Sequence, residues 1–232
     1  KYWGKKDSSA LNIPAVGSIS ITLKELFTLS AIEFSEDLKE DRLILNGAPA
    51  SEPELNRVRK FLDIIRSQAN IQTRAEVISQ NNFPTGAGLA SSASAFASLA
   101  LAGTKAAKLE YSMGQLSELA RKGSGSAARS IFGGFAEMKI GHQEDGSDAI
   151  AHSLQDENYW DLCVIIAITS EIQKKIGSTT GMNLTASTSP YYQDWVDSAP
   201  DDLKEMKKAI REPIAPLLGE LAASSCLKMH GL

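Results

Sequence analysis

From Ser18 to Leu23 the chain alternates polar and apolar residues (Ser-Ile-Ser-Ile-Thr-Leu), the two-residue period of a strand with one buried face. Short apolar-rich runs at 31–35 and 42–45 predict two further strands, and Asn46-Gly47 directly after the second predicts a tight turn. The period then lengthens. Leu55, Val58, Leu62 and Ile65 share one helical face while Arg57, Lys60 and Asp63 fall off it, so 53–67 is predicted as an amphipathic helix. Residues 71–79 return to a strand pattern.

The middle of the chain is rich in small residues. One long helix is predicted over 88–108, a second over 112–121, and a short third over 124–131 with Ser124 as its N-cap. Gly133-Gly134 breaks it. Strands follow at 135–140 and 162–168, and helices close the chain at 191–198, 201–210 and from 214 onward. The run 36–42 mixes charges of both signs with no apolar period and is predicted as a solvated turn between strands. Strands first, small-residue helices between and helices last describe an α+β fold, with two lobes sharing a cleft.

Composition narrows the function. A length of 232 residues is a prior of one to two domains at roughly 150 residues each. Apolar residues at 43% and charged residues at 22% exclude a disordered chain, collagen and a disulfide scaffold. A net charge of −4 argues against non-specific binding to nucleic acid or to an anionic membrane, and leaves room for an anionic small molecule held by local basic groups. Cys163 and Cys226 form no CxxC and are expected as buried thiols of a reducing compartment. The uncharged run 77–104 is longer than the ~20 residues of a membrane helix. Asn81, Asn82, Pro84, Gly86 and Gly88 interrupt it, so its second half is expected as a helix of a soluble fold. No signal peptide is visible. The opening Lys1-Tyr2-Trp3 without a Met is expected to be the middle of a longer protein. His142, His152 and His230 lack metal-ligand spacing.

Four stretches could carry chemistry. In 81–93 (Asn-Asn-Phe-Pro-Thr-Gly-Ala-Gly-Leu-Ala-Ser-Ser-Ala) a strand ends, Pro84 stiffens a turn, Gly86 and Gly88 allow close backbone approach, and Ser91 and Ser92 enter a helix. The free N–H groups and positive dipole end of a helix start suit a phosphate. The Walker A pattern is absent. The same residues also describe a plain Gly-rich turn packed by small side chains. In Gly123-Ser124-Gly125-Ser126-Ala127-Ala128-Arg129, Ser126 and Arg129 share a helical face, and Arg129 can fork onto a carboxylate or phosphate. Alone this is equally an N-cap and a solvated arginine. Two such helix starts in one chain favour two anion sites. Tyr2-Trp3-Gly4-Lys5 could form a lip around an anion, or a core aromatic pair. The stretch 173–181 is a basic, hydroxyl-rich loop.

Together these stretches resemble mevalonate diphosphate decarboxylases, in the superfamily of small-molecule kinases that includes galactokinase, homoserine kinase and mevalonate kinase. The matching segments are 1–5, 81–92, 123–129 with Gly133-Gly134-Phe135, Gly177-Ser178-Thr179 with Gly181-Met182, and Leu227-Lys228-Met229-His230. The resemblance implies a two-lobed fold with its active site in the interlobe cleft: an ATP- and phosphate-binding lobe at 1–150 and a helical lobe, incomplete here, at 151–232. It implies ATP and Mg²⁺, with ATP phosphates over Pro84, Thr85, Gly86, Ala87, Gly88, Leu89, Ala90, Ser91 and Ser92, and Ser92 also serving the metal. It implies (R)-mevalonate 5-diphosphate as substrate, its diphosphate held by Tyr2, Trp3, Gly4 and Lys5. Ser124, Gly125, Ser126, Ala127, Ala128 and Arg129 would line the same site, with Arg57 and Thr179 as further contacts. Arg129, on the substrate carboxylate, and Lys5 are the implied catalytic groups. A cytoplasmic homodimer is expected, with neither nucleic acid nor membrane as partner.

The chain departs from the family pattern in three places. The family's catalytic aspartate lies in an Asp-Ala-Gly-Pro motif after the Lys-Met-His helix; no such motif occurs in these 232 residues, and the aspartate is expected beyond Leu232. Ala128 replaces a frequent cysteine. Val16-Gly17-Ser18 stands where many members have Asn-Ser-Ser. Two other functions stay open at this level: a kinase of a mevalonate derivative that does not decarboxylate, and a non-catalytic nucleotide-binding protein.

Overall fold

A computed structural model describes residues 2–6, 11–85, 88–167 and 176–232. The fold is α+β, and its residues divide into two compact units. A central unit holds the described residues of 23–131 and 166–174. A terminal unit holds those of 1–22, 132–165 and 175–232.

In the central unit, β2 (Thr28–Ser35), β3 (Arg42–Leu45), β4 (Ala48–Pro49) and β5 (Arg74–Asn81) form one sheet in the order β2-β5-β3-β4. β5 runs antiparallel to β2 and parallel to β3. The helix α1 (Glu52–Ala69) connects β4 to β5. Its start is fixed by Ser51, whose backbone N–H and Oγ both donate to Glu54 Oε2, at 2.9 and 2.6 Å. It ends at Asn70 in the left-handed conformation. The predicted apolar face is the buried one: Val58, Phe61, Leu62 and Ile65 turn inward. Phe61 meets Phe96 edge-on, with centroids 5.1 Å apart, which joins α1 to α2 (Ser91–Ala106). The unit closes with α3 (Met113–Gly123) and a 3₁₀ helix, Gly125–Ile131.

The run 36–42 is not wholly a solvated turn. Asp41 is only 3% exposed. It forms an ion pair with the buried Arg66 and accepts the Ala75 N–H at 2.8 Å, while Arg59 Nε lies 3.6 Å away. Arg66 in turn donates to Asp63 at 2.7 Å and to the Thr73 carbonyl at 2.8 Å. A buried carboxylate persists only when so compensated.

In the terminal unit, β1 (Ser18–Ile21), β6 (Phe135–Met138) and β7 (Ala151–Gln155) form an antiparallel sheet in the order β1-β6-β7. Gly134 enters it at φ +63, where a Cβ would collide with the backbone of Gln155 and Asp156. Three helices follow: α4 (Ser178–Thr188), α5 (Tyr192–Arg211) and α6 (Ala215–His230). Val16, Trp195, Ala199 and Met229 make an apolar cluster, with Trp3, Tyr192, Val196 and Leu232 packed against it. Lys207 Nζ donates to Glu137 at 2.9 Å and ties α5 to β6.

Several expectations need correction. Residues 162–167 form no strand, and Ile165 is 89% exposed; Ile168 lies outside the described residues. Their β-branched composition meets no partner strand among the described residues. Cys163 is exposed and Cys226 half-buried, so neither is the buried thiol expected. α5 runs unbroken through Pro200, where two helices were expected. Proline forfeits one backbone bond, and the buried Trp195, Ala199, Ala209 and Ile210 hold both halves on one face. The hydroxyl-rich stretch becomes helix from Ser178, while Gln173, Lys174 and Lys175 lie outside the described residues. The long helix starts at Ser91, three residues late, after Ala90 at φ +56. The third helix is 3₁₀; Ser124 caps the C-terminus of α3 and also stands directly before the 3₁₀ helix, its carbonyl accepting the Ala127 N–H at 2.8 Å. Among the described residues no helix is long and apolar enough to cross a membrane.

Candidate functional site

In the central unit, two of the predicted anion motifs meet. Ser92 Oγ, in the first turn of α2, lies 3.2 Å from Ser124 Oγ, at the junction of α3 and the 3₁₀ helix. Arg57 reaches the same junction from α1. Its Nη2 donates to the Gly123 carbonyl at 3.0 Å, and its guanidinium carbon sits 4.6 Å from the centroid of Phe96. Gly123 permits this approach, since a Cβ there would strike Phe96. Arg57 keeps a solvent-exposed side. Burial of its other side lowers its pKa from the usual value, yet an arginine stays charged at any physiological pH. Arg57, Ser92 and Ser124 thus form one small cluster of donors.

The rest of the 124–129 stretch lies beneath it. Ala127 and Ala128 are fully buried, so only their backbone can face a ligand. The Ser117 hydroxyl donates to the Ala128 carbonyl at 3.0 Å and fixes that backbone. Arg129 is 8% exposed and Ser126 half-buried.

The loop entering α2 hangs from a chain of hydroxyl and amide bonds that spacing alone did not reveal. Thr28 Oγ1 lies 2.5 Å from Asn81 Oδ1 and 2.8 Å from Ser94 Oγ. A hydroxyl has one proton, and the amide oxygen can only accept. Thr28 therefore donates to Asn81 and accepts from Ser94. Asn81 passes the link on, its Nδ2 donating to Thr85 Oγ1 at 3.1 Å. This strut joins β2, the end of β5, the loop and α2. Of the loop, Pro84, Thr85, Gly88, Leu89, Ala90, Ser91 and Ser92 are described, with Gly88 at φ +90; Gly86 and Ala87 lie outside the described residues.

In the terminal unit, residues 2–6 pair with 11–15. Lys5 bridges Pro14, the Lys6 N–H donates to the Ile13 carbonyl at 2.9 Å, and the Gly4 carbonyl accepts the Ala15 N–H at 3.2 Å. Tyr2 Oη donates to the Asn12 carbonyl at 3.4 Å. Trp195 Nε1, on α5, donates to the Trp3 carbonyl at 3.2 Å. Gly181 on α4 faces the Trp3 ring, where a Cβ would stand 3.3 Å from Cη2. Thr179, two residues earlier, is exposed in the first turn of α4. So α4 and α5 bracket Trp3 and Gly4. Each unit carries its own share of the predicted residues.

The fit to a nucleotide and Mg²⁺ rests on donor chemistry. Among the described residues no group of three His, Cys, Asp or Glu could hold a metal. Mg²⁺ prefers oxygen ligands and is often bound largely by substrate phosphates and water. The half-buried Ser92 hydroxyl beside Ser124 offers one such oxygen, and the serine and backbone donors of the α2 start suit phosphate oxygens. The residues fit both groups.

Residues 1–151 match the diphosphomevalonate decarboxylase-like N-terminal domain, and 164–232 match the mevalonate 5-diphosphate decarboxylase C-terminal domain. The diphosphomevalonate decarboxylase of Candida albicans is 39% identical, over 100% of this chain and 68% of that protein. A crystal structure of mevalonate diphosphate decarboxylase from Staphylococcus aureus superposes with a TM-score of 0.89 at 41% identity, covering 99% of this chain and 69% of the other. A second structure, MDDEF in complex with MVAPP, AMPPCP and magnesium, gives 0.88 at 38% identity, covering 100% and 70%. The chain spans 57% to 68% of the length of the curated relatives it matches.

Proposed function

The chain belongs to the diphosphomevalonate decarboxylase family, and on that premise we propose that it acts in the ATP-dependent decarboxylation of (R)-mevalonate 5-diphosphate to isopentenyl diphosphate. The observation that carries the proposal is the junction at which Ser92, Ser124 and Arg57 converge from three helices, Ser92 3.2 Å from Ser124 and Arg57 bonded to Gly123 at 3.0 Å. A nucleotide-binding helix start and a substrate-binding turn need to lie side by side for phosphoryl transfer, and here their hydroxyls touch.

The net reaction consumes ATP and the substrate and releases ADP, phosphate, carbon dioxide and isopentenyl diphosphate. Bound MgATP supplies the phosphoryl group for the tertiary 3-hydroxyl. That phosphate leaves, positive charge develops at the tertiary carbon, and the C–C electron pair of the carboxylate fills it as CO₂ departs. In this proposal the backbone of Pro84 to Ser92 holds the nucleotide phosphates, and Ser92 offers an oxygen to Mg²⁺. Tyr2, Trp3, Gly4 and Lys5 hold the diphosphate, with Arg57 and Thr179 as further contacts. Arg129 and the backbone of 124–128 fix the carboxylate in one rotamer, an orientation effect. Fixed positive groups stabilise the several negative charges held together. The division near residue 150 into a phosphate-binding and a helical lobe belongs to the proposal and is supported by the separate matches of 1–151 and 164–232. A cytoplasmic homodimer belongs to it as well and rests on the family resemblance.

The test is made on the full-length protein with MgATP and (R)-mevalonate 5-diphosphate, following ADP and CO₂ together. Equal release of both is expected. ADP without CO₂ would establish a kinase on this scaffold, and neither product would overturn the proposed reaction.

A further inference from the structure

Trp3 Nε1 and Tyr192 Oη are among the polar atoms of the terminal unit that are shut away from water with no hydrogen-bond partner among the described residues; His152 Nδ1, on β7, is another. The Trp3 and Tyr192 side chains lean on the same apolar cluster around Val16 and Trp195. Buried polar groups are nearly always paired, and an orphan of this kind lowers stability until something pairs with it.

Tyr192 is placed by its neighbour. Gly4 has φ +100, and a Cβ there would collide with Tyr192 Oη, so the hydroxyl lies against the bare Cα of Gly4. The nearby carbonyls are already engaged: that of Trp3 accepts from Trp195 and that of Gly4 from Ala15. Tyr192 and Trp195 stand about one turn apart on α5. That helix thus fixes the Trp3 backbone with one residue and sets a free hydroxyl beside Gly4 with the other. Burial raises the phenol pKa above its ordinary value, which keeps the proton on the oxygen.

The two orphans also define the ligand. An indole N–H can only donate, and a protonated phenol donates readily. A partner for both must bring acceptor oxygens, as an oxyanion does, and the diphosphate proposed for residues 2–5 is one. We propose that Tyr192 is a further substrate-binding residue, its hydroxyl donating, together with the Trp3 indole N–H, to oxygens of the diphosphate held by residues 2–5. This rests on the function proposed above. Lys5 supplies charge to that site, while the two neutral donors supply direction.

Inorganic pyrophosphate is the probe, titrated into the full-length protein and followed by thermal shift. Tyr192→Phe keeps the ring and removes only the hydroxyl. Its affinity for pyrophosphate is expected to fall on the order of 10-fold, the worth of one hydrogen bond to a charged group. Its affinity for MgATP stays unchanged, and its Tm without ligand stays level or rises. Equal pyrophosphate affinity in the two proteins overturns the inference alone. A lower ligand-free Tm also overturns it, because the hydroxyl then has a partner inside the fold. A wild-type protein that ignores pyrophosphate overturns the diphosphate site itself and the inference with it.

Discussion

Arg129 and Asp41 are two of the buried charged residues, one in the proposed site and one outside it. Arg129 is 8% exposed within the 3₁₀ helix, three residues after Ser126. Replacing it by Ala should unpair the substrate carboxylate, a loss of roughly 2–5 kcal/mol, so kcat/KM should fall by about 30-fold or more. Unchanged kinetics would remove Arg129 from the site. Asp41, 3% exposed, and Arg66, 6% exposed, form a structural pair that includes none of the predicted site residues. Asp41→Ala leaves Arg66 buried beside Asp63 alone and should cost about 3 kcal/mol, read as a lower denaturation midpoint at unchanged m-value. A midpoint equal to wild type would show that the pair contributes nothing net. The serines, glycines and arginine of the site were legible because their chemistry is local to short motifs. Asp41 was not, because its partner lies 25 residues on. One signal was available: Arg66 follows Leu62 by four residues, which puts a charge at the edge of the buried helical face.

Among the elements, α1 and β3 were legible because each keeps one period throughout. β3 spans the predicted 42–45, and α1 extends the predicted 53–67 by one residue before and two after. β4, with two residues, is too short to show a period, and β7 was missed as well. The run 162–167 has strand composition but no ladder among the described residues, since composition states a preference and pairing needs a neighbour. The strut from Ser94 through Thr28 and Asn81 to Thr85 belongs to this scale, since it ties a strand pair to α2 and to the loop that enters it, the loop proposed to hold the nucleotide phosphates. Thr28→Val keeps the shape and removes the hydroxyl. The KM for ATP should rise about 5- to 10-fold, as expected for roughly 1 kcal/mol of lost hydrogen bonding. The KM for the acidic substrate should not change, and Thr28→Ser should restore the wild-type value. Equal KM for ATP in wild type and Thr28→Val would mean that the loop keeps its shape without the strut.

At the scale of the whole molecule, the two units each hold a set of donors with distinct character. The central unit gathers serine hydroxyls, helix-start amides and Arg57. The terminal unit gathers aromatic donors and Lys5 along residues 2–5. Neither unit is continuous in sequence, because the chain leaves the terminal unit after residue 22 and returns at 132. Strand and helix periods report only local geometry, so that return was not legible, while the α+β class was. The central claim is that nucleotide engages 84–92 while the diphosphate engages 2–5. Backbone hydrogen exchange on the full-length protein tests it most directly, with a non-hydrolysable ATP analogue and Mg²⁺ in one sample and pyrophosphate in another. The account predicts that the nucleotide slows exchange at 84–92 and that pyrophosphate slows it at 2–5. Protection confined to other segments, with these two unchanged, would contradict it.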